Sequence, residues 1–136
     1  MSIIESIREK AASHKKRIVL PRSSDERVIK AAQFLQDEEL ADVILLRNKD
    51  FKVETQNIEV LDPETDEKLK EFAEAFYQKR KHKGITEEQA LEIVKDPLFF
   101  GASLVSAGYA DGCVAGSVST TGDVLKAAIQ TIGLKK

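Results

Sequence analysis

The sequence is short of the residues on which small proteins rely for cross-links. A single cysteine, Cys113, excludes an internal disulfide framework and a zinc site built on several cysteines. Two histidines, His14 and His82, lack metal-ligand spacing with each other or with carboxylates, and both read as surface residues. Tryptophan is absent and 6% of residues are aromatic, so aliphatic side chains must fill most of any core. Three prolines and seven glycines do not amount to a low-complexity tract. Neither sign of charge is in excess. Lys+Arg at 21 against Asp+Glu at 23 leaves −2, which argues against a general nucleic-acid or membrane-surface binder. The longest uncharged stretch, Pro97 to Ala110, falls short of the about 20 apolar residues a bilayer requires. Met1 to Lys10 is charged and lacks the apolar run and cleavage site of a secretory leader. With one unpaired cysteine, the cytoplasm is the expected compartment.

What is present suits one globular domain. The 136 residues are 42% apolar and 32% charged. A compact chain of this mass exposes roughly 7,100 Å² of a possible ~21,900 Å², enough burial for a core without a metal.

Strand-like and helix-like segments alternate along the chain. A first helix starts near Ser2, with Ile4, Ile7 and Ala11 as an apolar stripe able to pack down. Ile18-Val19-Leu20, closed by Pro21, reads as a strand buried on both faces. Arg22 to Asp25 forms a loop, and Ser24 or Asp25 caps a helix carrying Val28, Ala31, Ala32 and Leu35 inward. Val43 to Leu46 and Ile58 to Leu61 read as further strands. Leu69, Phe72, Phe76 and Tyr77 mark a helix running to about His82, with Gly84 as its stop. Thr86-Glu87-Glu88-Gln89 is a capping box for a helix through Lys95, and Pro97 suits the first turn of another, to Ala107. Ala110 to Val114 reads as a fourth strand, and a last helix runs from about Gly122 to Ile132. The pattern predicts a three-layer α/β/α fold on a mostly parallel sheet, which binds ligands at the C-terminal ends of its strands. Two junctions lie at such ends: Pro21 to Asp25 and Gly116 to Asp123.

The second junction carries three consecutive hydroxyls, Ser119, Thr120 and Thr121, just before a helix. Free N–H groups and the helix dipole attract anions there, phosphate above all. Simple capping explains the same residues, since Thr120 and Asp123 form a capping box. Asp111 is the one charged residue between Pro97 and Gly122. It reads either as an acceptor for backbone N–H groups at the start of a strand or as a catalytic carboxylate. The run Lys79-Arg80-Lys81-His82-Lys83 ends a helix. Cations there oppose the dipole, and they equally suit a phosphate clamp in which arginine forks and lysine acts as a point charge. Cys113, inside a strand and without a cationic neighbour in sequence, reads as a structural thiol.

Taken in order, these segments resemble the N-terminal part of the phosphate acetyl/butyryltransferase family. The carriers are Ile18-Val19-Leu20-Pro21 through Arg27, Phe76 through Gly84, and Ala110 through Gly116 followed by the hydroxyls and Asp123 through Gln130. The resemblance implies reversible acyl transfer between coenzyme A and inorganic phosphate: acetyl-CoA plus phosphate giving acetyl phosphate plus CoA. Phosphate butyryltransferase and a non-catalytic acyl-CoA-sensing domain are the alternatives it leaves. It implies a two-domain fold like isocitrate and isopropylmalate dehydrogenases, with residues 1–136 as the first domain. On that reading the second domain and a C-terminal return segment, with a Ser-Arg pair and catalytic Asp, are missing, and the isolated fragment is inactive. The exposed face so left predicts self-association, a homo-oligomer. The family's CoA-binding arginine falls at Arg80, and its second functional arginine at Lys126, which keeps the charge and loses the guanidinium fork. Arg22 stands where the family often has an acidic residue. The CoA-binding candidates are Arg80, Lys126, Lys83 and Arg27; the phosphate-binding candidates are Ser119, Thr120 and Thr121. Catalytic residues are not assigned within the chain. CoA is expected as a substrate, with no permanently bound cofactor or metal.

Overall fold

A computed structural model describes residues 2–21, 25–47, 57–115 and 121–133. The elements run α1 (Ile3–Ser13), β1 (Lys16–Leu20), α2 (Glu26–Asp37), β2 (Ala41–Leu46), β3 (Glu59–Leu61) and α3 (Leu69–Arg80). After a 3-10 turn, Lys81–Lys83, follow α4 (Glu87–Val94), α5 (Pro97–Ser106), β4 (Gly112–Cys113) and α6 (Thr121–Thr131).

The four strands lie in the order β3-β2-β1-β4, and every pairing is parallel. Alternation along the strands divides the core in two. Val19, Ile44 and Leu46 face one side, where Phe72, Phe76, Val94, Phe100 and Leu104 of α3, α4 and α5 pack. Leu20, Val43 and Leu45 face the other, against Ala32, Val28 and Leu35 of α2. The sheet is therefore sandwiched, as its two-sided apolar runs require. Phe72 and Phe100 meet edge to face with centroids 5.1 Å apart, the favoured geometry for two ring quadrupoles. Gly101 lets α5 approach closely, since a Cβ there would lie 3.2 Å from the Cys113 sulfur.

The local signals behave as the sequence predicts. Asp25 caps α2 by accepting from Arg27 N–H at 2.9 Å. Thr86 and Gln89 complete a reciprocal capping box, and Pro97 opens α5. Gly84 ends the basic segment in the left-handed region at φ 85°, where a side chain would be strained. Asp111 is explained by structure alone: its Oδ2 accepts from Arg17 N–H at 2.9 Å, fixing β4 to the start of β1.

Two expectations fail. The fourth strand is only Gly112–Cys113, because Ala110 N–H is drawn back to Leu104 C=O to close α5. The α1 stripe does not pack down either. No residue of α1 is buried, and Ile3, Ile4 and Ile7 are 78%, 60% and 63% exposed. It meets α2 through a cation–π approach, the Arg8 guanidinium 5.2 Å from the Phe34 ring centre. On α6 and just after it, Leu125, Ile129 and Ile132 are exposed as well.

Candidate functional site

β1 leads through α2 to β2 on one side, while β4 lies on the other side of β1. α2, which follows β1, packs on one face of the sheet, while α6, which follows β4, packs with α3 and α5 on the other. A crevice opens outside the carboxyl ends of two such strands, and this is where open α/β sheets bind ligands. A hollow of about 270 Å³ lies there, lined by Leu20, Arg27, Val28, Ala31, Val114 and Ala115. Leu20 and Ala115, the described residues next to the two junctions singled out in the sequence, lie at this edge. Ser119 and Thr120 lie outside the described residues, as does Arg22. Thr121 is the first residue of α6, and its side chain is likewise not described.

Arg27 is the cation of this hollow. Its guanidinium forks onto Asp25, Nε to Oδ1 at 3.1 Å and a terminal nitrogen to Oδ2 at 2.8 Å. That hydrogen bond, and then the charge of Asp25, raise the arginine's pKa above its usual value. An anion entering here competes with Asp25 for the fork. Cys113, at the end of β4, is held by burial at a pKa of about 11, so it stays a thiol at neutral pH and is no nucleophile.

The remaining candidates are not gathered at this edge. Lys126 is exposed, midway along α6. Arg80 and Lys83 belong to the end of α3 and the turn after it. Among the described residues, none of the three side chains makes a hydrogen bond or ion pair. The end of α3 is fastened to the far end of α6: Lys79 Nζ donates to Thr131 C=O, and to Ser106 Oγ at 3.2 Å. An 11-residue helix is about 16 Å long. Arg80, next to Lys79, is therefore separated from the crevice by roughly one length of α6. No sequence signal exposes the Lys79 fastening, because its partners lie 27 and 52 residues away.

The model of the phosphate acetyl/butaryl transferase family matches residues 2–136. The chain belongs to this family. Among curated family members, the phosphate acetyltransferase of Thermoanaerobacterium thermosaccharolyticum is 44% identical over 138 residues. That of Acetivibrio thermocellus is 42% identical over the same length. Each match covers 97% of this chain but 42% of the relative, so the chain spans about two-fifths of their length. A solved phosphotransacetylase from Staphylococcus aureus superposes with a TM-score of 0.83 at 35% identity, again over 97% of this chain and 42% of that one. One from Streptococcus pyogenes gives 0.85 at 32% identity, over 96% and 43%. The fold expected from the sequence, a parallel α/β sheet between helices, is the fold these family members share over the matched part.

Proposed function

We propose that residues 1–136 form the first lobe of a two-lobed phosphate acyltransferase that moves an acetyl group between CoA and inorganic phosphate. The observation that carries this reading is the crevice between β1 and β4, in a chain whose family is established. CoA is an elongated polyanion, and its thiol lies far from its phosphates. The separation of Arg80 and Lys83 from the crevice suits such a ligand laid along α6. Its phosphates would meet Arg80 and Lys83, the middle of the molecule would pass Lys126, and the reacting end would reach the crevice. Ser119, Thr120 and Thr121 would hold the phosphoryl group of acetyl phosphate, and Arg27, the fourth CoA-binding candidate, would meet the end of CoA that enters the crevice.

In the direction of thioester formation, a base takes the CoA thiol proton and the thiolate attacks the acetyl carbonyl. A C–S bond forms, the C–O bond to phosphate breaks, and inorganic phosphate leaves. Donors must stabilise the tetrahedral oxyanion in between. The base and the Ser-Arg pair are assigned to the second lobe and return segment, so the isolated chain is proposed to be inactive. CoA is a substrate on this reading, not a resident cofactor, and the setting is the cytoplasm.

The test is a chimera in which this chain replaces the aligned portion of the Thermoanaerobacterium thermosaccharolyticum phosphate acetyltransferase. The chimera should form acetyl-CoA from acetyl phosphate and CoA, while the 136-residue chain alone should not. A folded but inactive chimera would count against the reading, and faster turnover of butyryl phosphate would shift it to the four-carbon acyl group.

We further propose that the exposed apolar faces of α1 and α6 drive the chain into a homo-oligomer, because patches of this kind seldom stay in water. Sedimentation velocity should show a concentration-dependent species larger than 15.1 kDa. A strictly monomeric chain over the whole concentration range would contradict this.

A further inference from the structure

We propose that Asp25 is a positioning residue for the crevice: its carboxylate occupies the Arg27 fork that an entering anion needs, and so weakens the hold of the crevice on that anion. This role rests on the acyltransferase reading for which anions enter.

Asp25 is tied down on several sides. Its Oδ1 accepts the Arg27 backbone N–H at 2.9 Å and the Arg27 Nε–H at 3.1 Å. Its Oδ2 accepts from a terminal guanidinium nitrogen at 2.8 Å. Its C=O accepts the Val28 and Ile29 N–H groups at 3.0 and 3.2 Å. Capping α2 needs only the backbone bonds and the one from Arg27 N–H to Oδ1. The fork is additional. It is the two-pronged grip that arginine otherwise gives to a phosphate or carboxylate ligand.

The two members of the pair differ in freedom. The Asp25 side chain is 7% exposed and that of Arg27 is 76% exposed. The carboxylate, fixed as the N-cap, stays in place when a ligand arrives. The guanidinium is the member that turns, because it lies on a long stem with many rotamers and lines the hollow. An anion that takes the fork must displace Asp25 from it and then stand close to the Asp25 charge. Both effects oppose binding, the second because like charges repel at short range. Such restraint suits a reversible transfer whose ligands in both directions are anions and must leave.

The experiment is a titration of the isotope-labelled chain with inorganic phosphate at neutral pH and fixed ionic strength, followed by the NMR shifts of Arg27 Nε and Cζ. Asp25→Asn removes the charge and keeps an acceptor for the Arg27 N–H, so α2 stays capped. Asp25→Ser, another good cap, repeats the test with a side chain that cannot accept a fork. Phosphate should move the Arg27 shifts saturably. It should bind about two- to fivefold more tightly in both variants, the range of an exposed ion pair. In an Arg27→Gln background the change at Asp25 should alter affinity by less than about twofold, because no fork remains to be freed. In the chimera, Asp25→Asn should lower KM for CoA by a similar factor with no rise in kcat, the mark of tighter binding without better transition-state stabilisation. Unchanged or weaker phosphate binding in both variants would overturn the role of Asp25, as would absence of saturable Arg27 shifts. Full persistence of the gain in the Arg27→Gln background would also overturn it. An inactive chimera strikes the acyltransferase reading alone, since the titration needs no turnover.

Discussion

Phe100→Ala is expected to cost about 3–5 kcal/mol of folding free energy, the range for emptying a well-packed aromatic site. Phe100 is fully buried, sits on the sheet face that holds Val19, Ile44 and Leu46, and meets Phe72 edge to face. Its removal loses the transfer energy of the ring, leaves a cavity that rigid neighbours cannot close, and breaks a ring pair. Domains of this size are stable by only about 5–15 kcal/mol, so the variant should give up at least about a fifth of that margin. Urea denaturation followed by circular dichroism reads the effect. A loss below about 1 kcal/mol would show that this face is not the tightly packed half of the core.

Arg80→Ala in the chimera should raise KM for CoA at least about tenfold, the loss expected when a charge-assisted phosphate contact is removed. It should leave the fold intact, since the Arg80 side chain makes no hydrogen bond or ion pair among the described residues. Losing a helix-end cation costs only about 0.3–1 kcal/mol. The turnover number should fall less than KM rises, because Arg80 is proposed to hold the phosphate end of CoA and not the reacting atoms. An unchanged KM would remove Arg80 from the site and leave the basic segment as a dipole-compensating helix end.

The two sequence features on which these expectations rest differed in legibility. The core was readable because continuous apolar runs such as Val43 to Leu46 and helical spacing such as Leu69, Phe72 and Phe76 are local consequences of burial. The caps at Asp25 and Thr86 were readable for the same reason: each is settled within a few residues. The apolar stripe of α1 misled, because spacing shows that a helix has a face and not that anything covers it. The shortness of β4 was hidden, since Ala110 has strand composition while its N–H is claimed by α5. At the site, the two loop junctions were visible as sequence, but their adjacency was not. It follows from β4 pairing with β1 and not with β3, a long-range choice that no local pattern carries. The Lys79–Thr131 fastening, and with it the placing of Arg80 away from the crevice, is long-range in the same sense.

The central claim is that the reacting end of the ligands sits in the crevice between β1 and β4. Hydrogen exchange of the chimera with and without CoA and phosphate tests it most directly. Protection should concentrate in the segments from Leu20 to Ala31 and from Val114 to Ala128, whose described members Leu20, Arg27, Val28, Ala31, Val114 and Ala115 line the crevice. Protection confined to the opposite edge of the sheet, around Lys15, Gln36 and Asn57, with none in those two segments, would contradict it.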